Sequence, residues 1–104
     1  MIRTSTPTQR FIIPDDQKAL LQLLKDLKIT YKQSNKIVLE KNINDVTIDD
    51  NVISFKLTQE ETKRFEANAT IEVQARLLTL AGDCIPSRVH RLSCEDVLND
   101  EVMV

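Results

Sequence analysis

His90 is the only histidine of the chain, and Cys84 and Cys94 are its only cysteines. A catalytic thiol or serine needs a base, and the base needs a third group to orient it. No such set can be assembled around one imidazole here. Zinc ligands come in paired short spacings, which these three residues lack. On the alternation of the last strand His90 shares a face with Leu92 and Cys94, the position of a packed or rim histidine. Acidic pairs stand at Asp15-Asp16, Asp49-Asp50, Glu60-Glu61 and Glu95-Asp96. Each has a structural use: negative charge at a helix start for the first and third, a turn for the second, a strand end for the fourth. Asp45, Asp49 and Asn51 could hold a weak calcium ion, but the EF-hand order of ligands and glycine is absent. With Gly82 as the single glycine, a phosphate-cradling loop is excluded. The residue types point away from an enzyme, and no cofactor, metal or small-molecule substrate is expected.

A chain of 104 residues has room for one domain with one core, and 41% apolar residues suffice to build it. The formal charge of −2, with scattered basic residues, argues against nucleic acid, whose phosphates call for clustered Lys and Arg. Lys28 and Lys32 share one strand face, which reads as a solvated face. No run approaches the ~18 apolar residues of a membrane span. The start, MIRTSTPTQRF, lacks the apolar stretch of a secretion signal. Were Cys84 and Cys94 on one extended segment they would lie roughly 30 Å apart at ~3.3 Å per residue. A disulfide tolerates about 7 Å between Cα atoms. Two free thiols, with Cys94 as a small buried hydrophobe, fit a reducing compartment. The expected location is a cytoplasm, unless the protein leaves within a larger particle.

The elements that would position these residues are mostly strands. Gln9 to Ile13 reads as a short strand stopped by Pro14. In DDQKALLQLLKDL, Leu20, Leu23, Leu24 and Leu27 follow the i, i+3, i+4, i+7 stripe of an amphipathic helix over Asp15–Asp26; the rival is a loop running directly into a strand. Leu27 to Gln33 alternates as a strand. Ser34-Asn35 makes a hairpin turn, since Asn tolerates positive φ, and Ile37 to Lys41 returns. Val46 to Ile48, the turn Asp49-Asp50-Asn51 and Val52 to Leu57 follow. Thr58 and Glu61 form a capping box for a helical turn over Thr58–Phe65, with Phe65 dropped onto the core. Ile71, Val73, Ala75 and Leu77 alternate with Glu72, Gln74 and Arg76 in a half-buried strand over Ala69 to Leu80. The turn Ala81-Gly82-Asp83 leads to a last strand near Ser87 to Glu95. About seven strands at 8–12-residue spacing predict an all-β antiparallel sandwich or small barrel with one or two short helical segments. The expected core is Phe11, Ile13, Leu27, Ile29, Tyr31, Leu39, Ile48, Ile53, Phe55, Leu57, Phe65, Ile71, Val73, Leu77 and Leu92.

The Thr-Pro-Thr start, the strand ITYKQ, the return IVLEK, the segment LTQEET and the strand IEVQARLLTLAGD together resemble a group of small proteins. These are encoded in tailed phages and prophages of Gram-positive gut bacteria. The chain is also similar to the immunoglobulin-like N-terminal module of baseplate upper proteins. The resemblance spans roughly Arg3 to Val102 and is most specific at Leu57 to Thr62 and Val73 to Arg76. It departs at Gln17 to Leu24, which is longer than the family's link, and in its single glycine. It implies an immunoglobulin-like β-sandwich and a virion structural protein of the tail or baseplate. Such a protein would be made in the host cytoplasm and then carried in the particle. The partners it implies are other virion proteins. The alternative is a phage-made intracellular module that inhibits a host defence protein.

On this reading residues 1–8 form an extended arm, 9–96 the sandwich, and 97–104 an edge strand or second arm. A tail carrying Val97, Leu98, Val102, Met103 and Val104 is too apolar to stand in water without a partner. With Ile2, Thr4 and Thr6 of the arm, these residues are the expected contacts to other virion proteins or to copies of the chain itself.

Overall fold

The computed structural model describes residues 1–13, 21–86, 89–95 and 103. Among these residues eight strands and one short α-helix follow in the order β1 (Thr8–Ile12), β2 (Leu24–Gln33), β3 (Lys36–Asn42), β4 (Thr47–Asp49), β5 (Val52–Lys56), α1 (Gln59–Lys63), β6 (Ile71–Thr79), β7 (Cys84–Pro86) and β8 (His90–Leu92), with a 3₁₀ turn at Ile43–Asp45 between β3 and β4. Two antiparallel sheets make a small all-β sandwich. One has the order β1-β5-β4. The other runs β3-β2-β6, and β6 pairs along its free side first with β8 and then with β7.

Alternation dictates the core. Leu27, Ile29, Tyr31 and Gln33 of β2 point inward beside Leu77, Ala75, Val73 and Ile71 of β6, while Ile53, Phe55 and Leu57 face them from the smaller sheet. Tyr31 sits at the centre, edge-on to Phe55 (6.4 Å between centroids) and to Phe65 (5.7 Å). Its phenol donates to Gln9 Oε1 at 3.1 Å, which satisfies the one polar atom that this ring brings inside. Cys94 is buried, as its apolar position suggested, Cys84 is exposed, and the two are not joined in a disulfide. Phe11 and Leu92 pack on the core but stay half-buried, because β1 and β8 are edge strands. Ile48 is a correction. It is 36% exposed, since β4 is a three-residue edge at the rim, and it leaves the core list.

Turns follow the chemistry of their residues. Ser34 (φ 51°) and Asn35 (φ 63°) close the β2–β3 hairpin, and Asp50 (φ 54°) turns β4 into β5. Gly82, at φ 90°, takes a backbone conformation that side chains rarely allow.

Two corrections concern elements. The first part of the expected helix, Asp15 to Leu20, lies outside the described residues, but the rest is not α-helical. Leu21–Leu23 form a 3₁₀ turn, and β2 begins at Leu24. The register of β2 against β6 slips between Leu24 and Asp26, a β-bulge that turns both Leu24 and Leu27 toward the core. Leucines three apart therefore share a face without a helix. The second correction is β7, a three-residue strand ending in Pro86, where a turn had been expected to lead directly to the last strand. Its partner positions are Leu78, Leu77 and Arg76.

Candidate interaction surface

The groups most able to do chemistry are kept apart. Cys84 pairs with Leu78 and His90 with Val73 along β6, on the order of 17 Å at ~3.3 Å per residue. Cys84 shares the outer face with Leu78, whereas His90, itself exposed, lies opposite Val73 and sets its ring edge-on to Phe11 (6.2 Å). A Cys84–His90 thiol–imidazole pair is therefore ruled out by register. Cys84 borders a shallow depression of about 210 Å³ that also touches Asp26, Lys28 and Arg76. This outer face is mixed in sign: Lys28 lies 4.0 Å from Glu40, and Arg91 lies 3.9 Å from Glu72. Two of the three candidate calcium ligands have other tasks. Asp45 accepts from the Asn42 backbone in a capping box, and the Asn51 amide donates to Ile13 O at 3.0 Å. Among the described residues no three His, Cys, Asp or Glu side chains converge on a possible metal position. Nor, among them, is any helix long and apolar enough to cross a membrane.

The built part of the molecule is the end where α1 meets the N-terminal segment. Thr58 and Glu61 cap α1 reciprocally: Glu61 N–H donates to Thr58 Oγ1 (3.1 Å), and Thr58 N–H to Glu61 Oε1 (2.9 Å). The other carboxylate oxygen takes the Lys41 ammonium of β3, a pair almost closed to solvent. Burial alone would raise the Glu61 carboxyl. The bonds from Lys41 and Thr58, with the lysine charge, outweigh it and hold the group below the usual carboxylate range. Burial also pushes the Tyr31 phenol well above its ordinary value, and the Glu61 charge adds to this. After α1, Phe65 fills the core, and the buried Gln33 amide fixes the next loop. It donates to Glu66 O (2.9 Å) and Ala69 O (3.2 Å) and accepts from Glu66 N–H (2.6 Å).

Both chain ends return to this element. The Met1 ammonium donates to Ser93 O (2.6 Å), Glu95 N–H to Met1 O (2.7 Å) and Arg3 N–H to Glu95 O (2.9 Å), which makes Ile2 and Glu95 a parallel bridge. Arg3 Nη2 reaches Lys63 O (3.2 Å), the buried Thr62 hydroxyl donates to Ser5 O (2.8 Å), and Leu57 N–H donates to Pro7 O (3.0 Å). Residues 1–7 thus lie against their own domain, and Thr8 already belongs to β1. At the other end the Gln59 side chain grips the Met103 backbone twice, accepting from its N–H (2.8 Å) and donating to its carbonyl (2.9 Å).

Of the expected contact residues, Ile2 (45% exposed), Thr6 and Met103 (81%) are open to solvent, and Thr4 is half-buried in a turn. Val97, Leu98, Val102 and Val104 lie outside the described residues. Gln59 and Arg3 are additions that sequence reasoning missed. Neither carried a local signal, because their partners are remote in the chain. No protein-family model matches the sequence, and no curated protein is significantly similar to it.

Proposed function

We propose that the chain is a virion structural protein of a tailed phage, a tail or baseplate component that works by protein–protein contact and not by catalysis. The observation that carries this reading is the terminal junction. Met1 and Arg3 are tied to Ser93 and Glu95 through their backbone, the Arg3 and Thr62 side chains join this segment to α1, and the Gln59 side chain of α1 holds the Met103 backbone, yet Ile2 and Met103 keep apolar side chains in water. A rigidly held backbone that presents apolar side chains binds without paying for the ordering of a loose arm. The separation of Cys84 from His90 supports a non-catalytic role. Other virion proteins and further copies of the chain are the partners proposed, reached from the host cytoplasm during particle assembly.

Mass spectrometry of purified particles of the encoding phage tests this. The protein is expected in stoichiometric amounts beside tail and baseplate proteins. Its absence from particles, together with recovery on a host protein by pull-down, would establish the intracellular inhibitor instead.

A further inference from the structure

We propose that Met1–Arg3 is an exchangeable strap: it leaves its own Ser93–Glu95 and takes the same position on a second copy of the chain. The inference deepens the reading of the protein as an assembling component and rests on it. Among the described residues, positive φ occurs at Asn35, Asp50 and Asn68, types that tolerate the left-handed region, at Ser34 in the β2–β3 hairpin turn, at Gly82, and at Thr4 (φ 60°). Thr4 alone is β-branched, and a β-branched residue there is strained. It sits in a tight turn closed by Ser5 N–H to Ile2 O (3.3 Å), by the Ser5 hydroxyl on the same carbonyl, and by Thr4 Oγ1 to Arg3 O (2.7 Å). On the C-terminal side of this turn the chain is fixed, through Pro7 O on Leu57 N–H and through β1. On the N-terminal side the strap is held by three short contacts to Ser93 and Glu95, by the Arg3 side chain, which reaches Lys63 O, and by the half-buried Met1.

Straightening the turn relieves Thr4. It frees a segment whose order of donor and acceptor (Met1 ammonium, Met1 carbonyl, Arg3 amide) already fits Ser93–Glu95. Only the same sequence on a second copy restores every one of these bonds, so exchange costs little contact energy. A strained, short hinge favours it further.

Size-exclusion chromatography with light scattering over a wide concentration range tests the proposal, with circular dichroism to check the fold of each variant. The wild type should show a concentration-dependent dimer. Thr4→Asn enters the left-handed region readily, so the closed strap gains about fivefold and the dimer, with two straps, should weaken roughly 25-fold. Thr4→Pro, with φ fixed near −65°, cannot close the turn and should shift the chain to dimer. Monomers throughout, Thr4→Pro included, would overturn the exchange. A dimer indifferent to both substitutions would overturn it too, while leaving assembly through another surface intact. A Thr4-dependent dimer that never enters particles would support the exchange and remove the virion reading.

Discussion

Thr58 and Phe65 bracket α1 and hold it by different means, so their removal should differ in cost. Phe65 is 1% exposed and meets Tyr31 edge-on, and truncating such a ring leaves a cavity that the two sheets cannot collapse. Phe65→Ala should therefore destabilise by about 3–5 kcal/mol. Thr58 gives up one capping bond at a solvent-exposed position, and Thr58→Ala should cost about 1 kcal/mol. Urea denaturation of both variants checks the order; a larger loss at Thr58 would mean that the cap, not the ring, anchors the helix. Both roles were legible from residue types alone, since S/T-x-x-E before an apolar residue has a local physical cause. The buried Gln33 amide was not. Its partners Glu66 and Ala69 are set by the sheet pairing, and an inward glutamine at the end of an alternating strand carries no sign of what it will bind.

Among elements, α1 is tied to β3 by Lys41 and Glu61, and this pairing makes stability depend on pH with a definite sign. The folded-state carboxyl is held below its unfolded value, so its contribution is full above the unfolded pKa, about 4.3, and is lost as pH falls through the folded value. Wild-type stability should fall on acidification below about pH 4.5 more steeply than that of Glu61→Gln, which has no carboxyl to protonate there. Urea midpoints across that range test it, and parallel acid limbs would contradict the assignment. The long strands were readable because one face of each is buried and a period of two cannot be mistaken over eight residues. Reading failed where that period was broken. The bulge in β2 put Leu24 and Leu27 on one face and imitated a helix, and β7 is too short, with Pro86 at its end, to show any period. Pairing of both β7 and β8 with β6 is a tertiary fact that no local pattern encodes.

Across the whole molecule, the first three residues meet Ser93 and Glu95, and Met103 meets Gln59, so both ends share one face with α1. Apolar character at the two ends was visible in the sequence. Their convergence was not, because contacts between the first and last parts of a chain leave no trace in local spacing. That convergence is the basis of the central claim: the terminal junction is the surface through which the protein takes its place in a particle. The most direct measurement is incorporation. A phage lacking the native protein is complemented with wild type or with the Ile2→Asp/Met103→Asp double variant, and purified particles are quantified for the protein by mass spectrometry. Both positions are exposed, so the variant should keep its fold by circular dichroism and its cellular level. The account predicts that its content in particles falls at least about tenfold, as expected when charges are buried in an apolar contact. Particles carrying the folded double variant at the wild-type level would contradict it.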